Sequence, residues 1–267
     1  METPGVTKQR IIQYLRAGKR FDGRGLHDYR EIKIELGVSN KAEGSARVKI
    51  GKTEVVVGVK MDVSAPYTDS PDQGNLIITA ELLPLSSERY EPGPPTMESI
   101  ELARVIDRGL RESKFINLKK LCIKEGELVW NVLIDIYSIN DDGNLLDASF
   151  IAAVAALRNS FIPKLREDNK VEFGTLTKTK IPLNESIPIS LSFFKIDNKI
   201  VIDPTKEEED ACDVKLYVGL TYSKEGVKIN SIQKSGPAHL EFDEVDEMLY
   251  IGENKIKEII KLIESNC

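Results

Sequence analysis

Apolar and polar positions alternate through much of this chain, and where alternation stops the spacing becomes helical. Ile32, Ile34, Leu36 and Val38 are separated by polar residues, a two-residue period that predicts a strand with one buried face. Ala46 to Ile50 and Thr53 to Val63 predict two more strands, joined by a tight turn at Gly51-Lys52. After the Pro-rich loop Glu91-Pro92-Gly93-Pro94-Pro95 a helix starts between Thr96 and Ser99 and runs to about Ser113. Leu102, Val105, Ile106 and Leu110 fall on one side of it. A β-patterned run, Leu128 to Ile139, then passes through a glycine turn into an Ala-rich helical run, Phe150 to Leu157.

The remaining pattern divides the chain. Thr7 to Ala17 predicts a short N-terminal helix closed by Gly18, with a turn at Asp22-Gly23. The polar, Lys-rich stretch from Pro163 to Lys180 reads as a connection between two halves. Beyond it, strands are expected near Ile187–Phe194, Lys199–Ile202, Val214–Ser223 and Val227–Gln233. The chain closes on one long helix burying Val245, Met248, Leu249, Ile256, Ile259, Ile260 and Ile263. The expected organisation is an N-terminal helix and lead-in (1–30), a first half (31–165) and a second half (185–267). Both halves are strands followed by helix, an α+β class that suggests a duplicated unit, although no repeat is visible residue by residue.

Composition removes several function classes. The 267 residues are 41% hydrophobic and 30% charged, which is globular, and the net charge of −6 makes the surface as a whole a poor polyanion binder. Any RNA contact must use a local basic patch. Cys122, Cys212 and Cys267 are widely spaced, with no CxxC or Cys/His cluster, so neither a zinc site nor a disulfide framework is expected. His27 and His239 leave few candidates for a His-based metal site or catalytic triad. No run of 18 apolar residues and no apolar leader occurs, so a soluble cytoplasmic protein without a membrane partner is expected. Gly51-Lys52-Thr53 invites a P-loop reading that fails on spacing: Ala46 stands where the loop's first glycine belongs, and a β-rich run follows where a helix should.

Three constellations carry candidate chemistry. Asp141-Asp142-Gly143-Asn144-Leu145-Leu146-Asp147 lies between a strand and a helix start, the frame that holds phosphate through free N–H groups and the helix dipole. Its side chains have the wrong character, two leucines and three aspartates instead of a cation or hydroxyl. Arg104, Arg108 and Arg111 share one face of the 98–113 helix. That row is either a solvated face laced to Glu101 and Asp107, or a track for a polynucleotide backbone. Glu207-Glu208-Glu209-Asp210-Ala211-Cys212-Asp213 offers carboxylates for Mg²⁺ or general acid work, or is a solvated acidic loop. Arg89 reads as a loop cation and His239 as structural.

The order Gly23-Arg24, Gly44-Ser45-Ala46, Pro92-Gly93, the arginine helix, Asp142-Gly143-Asn144, Asp203-Pro204-Thr205-Lys206-Glu207-Glu208 and Asp213-Val214 resembles the RNase PH family over nearly the whole chain. Within it the stretch Glu101 to Arg111 and the long N-terminal lead-in look most like the non-catalytic RNase PH-like ring subunit of the archaeal exosome. The resemblance implies an RNase PH-like fold of ribosomal protein S5 domain 2-like topology. It implies a hexameric ring of three heterodimers with a catalytic RNase PH-like subunit, RNA-binding cap subunits, and phosphorolysis of single-stranded RNA from the 3′ end. Active members grip phosphate with a Gly-Gly/Ser-Thr/Ser-Arg turn; here Gly143 keeps the first position, while Asn144, Leu145 and Leu146 replace the rest. Each charge-assisted bond missing from such a turn costs about 1.5–3 kcal/mol, and Asp147 is expected to add repulsion. Active members also carry two aspartates six residues apart. Asp213 matches the later one and Glu207 stands at the earlier position, so Asp210 and Asp213 are expected as an acidic relic. The chain is therefore expected to have no catalytic residues, metal or cofactor, and to lend Arg104, Arg108 and Arg111 to RNA. The alternative is a chain that is itself a phosphate-dependent 3′-to-5′ exoribonuclease. A kinase-like reading fails for want of a glycine-rich ATP loop.

Overall fold

The molecule is described from a computed structural model at residues 3–224 and 226–266; Cys267 lies outside the described residues. Helix α1 (Gly5–Arg16) is followed by strands β1 (Ile32–Leu36), β2 (Gly44–Ile50), β3 (Thr53–Ser64) and β4 (Asn75–Leu82). Then come α2 (Met97–Glu112), β5 (Cys122–Lys124), β6 (Leu128–Asn140) and α3 (Leu145–Arg158). The remainder is β7 (Phe161–Leu165), β8 (Val171–Lys180), β9 (Ile187–Ile196), β10 (Lys199–Ile202), α4 (Lys206–Asp210), β11 (Val214–Ser223), β12 (Gly226–Ser235) and α5 (Phe242–Asn266).

The first sheet has the order β1-β2-β3-β6-β4, with β5 paired to β6. All its pairs are antiparallel except β4 with β6, which α2 joins as a crossover. Helix α2 packs on β4 and presents Leu102, Val105, Ile106 and Leu110 to the core, as its 3–4 spacing requires. Thr96 caps it by accepting the Ser99 N–H. The second sheet is β10-β9-β11-β12, antiparallel throughout, with α5 laid across β9 and β11.

Helix α3 explains why the halves cannot separate. Every residue from Leu146 to Leu157 is buried, because one side meets β2 and β3 and the other meets β9. A helix buried all round has no solvent face, and its two polar side chains there, Asp147 and Ser149, are buried with the rest. The small alanines let both sheets approach, while Phe150 and Ile151 fill the space between. Gly109 of α2 lies so close that an added Cβ would stand 2.6 Å from the Phe150 ring. One continuous apolar core therefore runs through both sheets. A smaller cluster (Ile11, Leu15, Ile196, Val201 and Ala211) fixes α1 to the second sheet beside α4.

Three expectations change. The stretch from Pro163 to Lys180 is no plain connection but the hairpin β7–β8, which is largely exposed on both faces and so shows no alternation. The acidic run is a capped helical turn rather than a loop: the Thr205 and Glu208 side chains each accept the other's backbone N–H, a capping box. The helix expected from Phe150 begins at Leu145, directly after the glycine turn.

Candidate functional site

The turn after β6 is built by backbone demands. Gly143 has φ +89° and an added Cβ would lie 2.6 Å from the Pro204 carbonyl oxygen, so glycine is required for conformation and for clearance. Asn144 follows at φ 60°, in the left-handed region that asparagine tolerates. Thr53 donates its hydroxyl to the Gly143 carbonyl (2.6 Å) and accepts the Asp142 N–H (3.2 Å). The turn from the first half and the 203–210 segment from the second half thus meet in one crevice.

Buried ions lock that meeting. Arg30 donates to the carbonyls of Asp142 (2.8 Å), Gly143 (3.1 Å) and Pro204 (3.2 Å), and grips Asp203 with Nε and Nη2 (2.9 and 2.7 Å). Asp203, fully buried, also takes Arg24 Nη1 (2.9 Å) and Asn144 Nδ2 (3.0 Å). Burial pushes its carboxyl up, yet the hydrogen bonds and charge of Arg30 hold it below its ordinary value. Arg20 is paired in the same way with Glu208 behind α4.

In front of this seam a cavity of ≈ 260 Å³ opens between α2, the turn, α4 and β11. Its apolar wall includes Leu145, Leu146, Phe194 and Tyr217. Its cations are Arg89, Lys206 and Lys215, and each clasps a carboxylate. Lys215 Nζ is 2.7 Å from Glu209 Oε1, Lys206 Nζ is 2.7 Å from Asp141 Oδ2, and Arg89 holds Asp210 with two bonds of 2.8 and 2.5 Å. Burial would raise the Asp210 carboxyl, but hydrogen bonds from Arg89 and Thr3 bring it down to about 2. Glu209 Oε2 accepts the Asn144 N–H at 3.3 Å, which places a carboxylate at the start of α3.

Asp210 and Asp213, the expected acidic relic, are not brought together. Asp213 precedes β11, and its carboxylate accepts the Asp197 N–H (2.9 Å) in the β9–β10 turn, with Lys8 at 3.6 Å. It lines a different groove, with Cys212 and His239. The residues six apart that do face the cavity are Glu209 and Lys215, a carboxylate and a cation. Glu207 is exposed. Asp147 adds no repulsion to the turn. Its side chain points into the core, where it accepts from Tyr29 (2.6 Å), Ser192 (2.6 Å) and Asn144 Nδ2 (3.1 Å), and burial raises its carboxyl to about 7. Lys215 carried no sequence signal beyond its place in a strand, and Arg30 none beyond its place before one.

The arginine row is real and unequal. Arg104, Arg108 and Arg111 are exposed and line one groove with Ile78, Asp107 and Glu112. Arg111 is held by Asp107 (2.7 Å) and the Leu76 carbonyl (3.0 Å). Arg108 meets only the neutral Gln233 Oε1 (3.2 Å), and Arg104 has no polar partner among the described residues. Glu101, expected to lace these arginines, faces the cavity and accepts from Gln233 instead (3.4 Å). No group of three or more potential metal ligands occurs among the described residues. Among them, no helix is long and apolar enough to cross a membrane.

Family models described as 3′ exoribonuclease family, domain 1 and domain 2 match residues 28–163 and 186–255. Similar proteins include the exosome complex component Rrp42 of Methanothermobacter thermautotrophicus, 41% identical over 98% of this chain and 96% of its own length. Its counterpart from Archaeoglobus fulgidus is 44% identical over 97% of both chains. A chain of the Archaeoglobus fulgidus exosome with RNA bound to the active site superposes with TM-score 0.85 at 43% identity, covering 95% of this chain and 97% of that one. A chain of an archaeal exosome core gives TM-score 0.85 at 40% identity, covering 97% and 96%.

Proposed function

The chain belongs to the RNase PH family of 3′ exoribonucleases, and from that premise we propose that it is the non-catalytic RNase PH-like subunit of an exosome. It pairs with a catalytic RNase PH-like subunit in a hexameric ring of three heterodimers, which cap subunits cover, and works in the cytoplasm on single-stranded RNA. One observation carries the non-catalytic reading: no cation in the cavity beside the glycine turn is free to receive phosphate. Arg89, Lys206 and Lys215 are each bonded to a carboxylate of the chain itself, and Leu145 and Leu146 stand where hydroxyl and guanidinium would be needed. Gly143 and Asn144 keep the backbone frame of a degenerate phosphate site. Of the acidic relic only Asp210 remains in the crevice, and it is tied to Arg89.

The contribution to RNA is made from a second groove along α2, next to the cavity. Arg104 and Arg108 are exposed guanidiniums with no carboxylate partner among the described residues, and an RNA phosphate supplies the missing anion with fork geometry. Arg111, already bonded to Asp107, contributes less. Such contacts are to backbone and are independent of sequence.

The test is reconstitution. The purified chain with poly(A) and inorganic phosphate should release no nucleoside diphosphate. Mixed with a catalytic RNase PH-like subunit, it should form a ring that degrades poly(A) faster than the partner alone. Nucleoside diphosphate released by the chain alone would overturn the reading and favour the active exoribonuclease.

A further inference from the structure

We infer that the Glu209 carboxylate is a built-in oxyanion seated at the start of α3, and that removing it opens a binding site for inorganic phosphate. The inference deepens the silenced-site reading above and rests on it. Helix α3, fourteen residues long, has no side-chain cap, so its first N–H groups and the positive end of its dipole need an acceptor from elsewhere. Asn144, at the cap position, does not serve: its Nδ2 donates to Asp147 and Asp203, and its Oδ1, the atom that would accept a helix N–H, has no hydrogen-bond partner among the described residues. Glu209 reaches across from α4 and accepts the Asn144 N–H at 3.3 Å. The same carboxylate takes Lys215 at 2.7 Å and has Lys206 at 3.9 Å. A helix start, a backbone N–H and two ammonium groups converging on one pair of oxygens is the coordination of a bound tetrahedral anion, supplied here by the chain.

The fit is incomplete in one respect, and that gap bears on the ligand class. Asn144 is 1% exposed and lines the cavity, yet its Oδ1 has no hydrogen-bond partner among the described residues. A carboxylate has no proton to offer it. Monohydrogen phosphate has one P–OH donor and three acceptor oxygens, so it can satisfy acceptors and donors in one seat. The cavity of ≈ 260 Å³ has room for it once the glutamate side chain is removed. Lys215, whose only carboxylate partner among the described residues is Glu209, is then the cation set free.

The experiment titrates inorganic phosphate into the full-length chain, followed by calorimetry and ³¹P NMR, for the wild type, Glu209→Ala, Glu209→Gln and the double variant Glu209→Ala/Lys215→Ala. Glu209→Ala should bind phosphate at least about tenfold more tightly than the wild type, the factor that one charge-assisted bond supplies. Glu209→Gln should gain less, because the amide still fills the seat, and the double variant should lose the gain. The proposal is overturned if neither single variant gains affinity while circular dichroism shows both folded. It is equally overturned if the gain survives loss of Lys215, or if neither variant folds, since the carboxylate is then a structural part of the helix start rather than a displaceable occupant. Release of nucleoside diphosphate by the wild-type chain, read in the separate poly(A) assay, would instead overturn the silenced-site reading itself.

Discussion

Helix α2 borders two basic regions that differ in one respect. In the first, Glu98, Glu101 and Leu102 look into the cavity, where Arg89, Lys206 and Lys215 are all tied to carboxylates of the chain. In the second, the neighbouring groove, Arg104 and Arg108 are exposed with no carboxylate partner among the described residues, and Arg111 is bonded to Asp107. The number of cations is the same in both places. Their availability to an outside anion differs, because a carboxylate already bonded to a cation offsets its charge and repels an incoming phosphate. The region that most resembles a phosphate site is the one whose cations are already paired within the chain, and the plain helix face is the one where two of three are not, among the described residues.

The largest effect should come from breaking the closed side at its root. Arg30→Ala removes the guanidinium that holds Asp203 and three carbonyls across the two halves, leaving a fully buried carboxylate short of its main partner. Breaking one partner of a buried pair costs about 3–5 kcal/mol, measurable as a lower urea midpoint and unfolding free energy. A loss below about 1 kcal/mol would mean that these ions are decoration on an apolar core and that neutralisation near the cavity is incidental.

Asp147 is the closed side's exception, a buried carboxyl with hydroxyl and amide donors but no cation bonded to it among the described residues. Burial, acting against the bonds from Ser192, Tyr29 and Asn144, raises it to about 7. An unfolded Asp titrates at about 3.9. Between those values the folded chain holds a proton that the unfolded chain has released, so stability falls as pH rises from about 4 to about 7. At about 1.4 kcal/mol per unit the contribution reaches roughly 4 kcal/mol at most. Asp147→Asn should flatten that part of the profile, read as the difference between unfolding free energies at pH 5 and pH 7.5 in the two proteins. An unchanged slope would show that the carboxyl is already ionised at low pH and that the hydrogen bonds outweigh burial.

The open side breaks more gently. Arg104→Glu with Arg108→Glu, in the assembled ring, should weaken binding of single-stranded RNA and lower the slope of log affinity against log salt by roughly 1.4, about 0.7 for each phosphate that the ring no longer neutralises. The chain's own stability should stay within about 0.5 kcal/mol, since neither residue is buried or ion-paired. If affinity and slope are both unchanged, the face is merely solvated, and the contrast between the two regions has no functional content.

How much of this was legible in the sequence follows from what each element faces. Strand β3, helix α2 and helix α5 each have one wet and one dry side, so their periods are plain; the four core residues expected of α2 are buried, while in α5 Val245 and Leu249 are only half-buried and Ile251 is buried in addition to the five others expected. Helix α3 has no wet side, and only its alanines marked it. Strand β4 gives no clean alternation, because Leu76, Ile77 and Ile78 run together beneath α2 at the sheet edge. The hairpin β7–β8 was hidden for the opposite reason, having almost no dry side. At the site, Gly143 and Asn144 declared the turn and the leucines declared its altered chemistry. The carboxylates could not be sorted, because the acidic run offers five candidates and only the fold decides which point into the cavity. Glu208 turned to Arg20, Asp213 to a backbone N–H, and Glu209 and Asp210 inward. Lys215 was invisible for the same reason, since its partner lies six residues away across a turn.

Arg89 supplies the finest discrimination, because it is a cavity cation whose side chain keeps 29% of its surface open to solvent while bonded to Asp210. Its bond to Asp210 is bidentate, and Thr3 donates to the same carboxylate from the N-terminal segment through its N–H (3.2 Å) and hydroxyl (2.7 Å). A partly exposed pair of this kind is worth about 0.2–1 kcal/mol, so Arg89→Ala should lower stability by no more than that, and less as salt is added. With Asp210 held down to about 2, the pair's contribution is complete above about pH 4 and is lost as pH falls toward 2. The ring's RNA affinity separates the two regions. If a neutralised cation is withdrawn from outside anions, Arg89→Ala should leave RNA binding and its salt slope unchanged, whereas Arg104→Glu changes both. A loss of RNA affinity at Arg89 as large as at Arg104 would show that RNA pulls Arg89 away from Asp210, and ion pairing within the chain would then no longer explain which of its cations are closed.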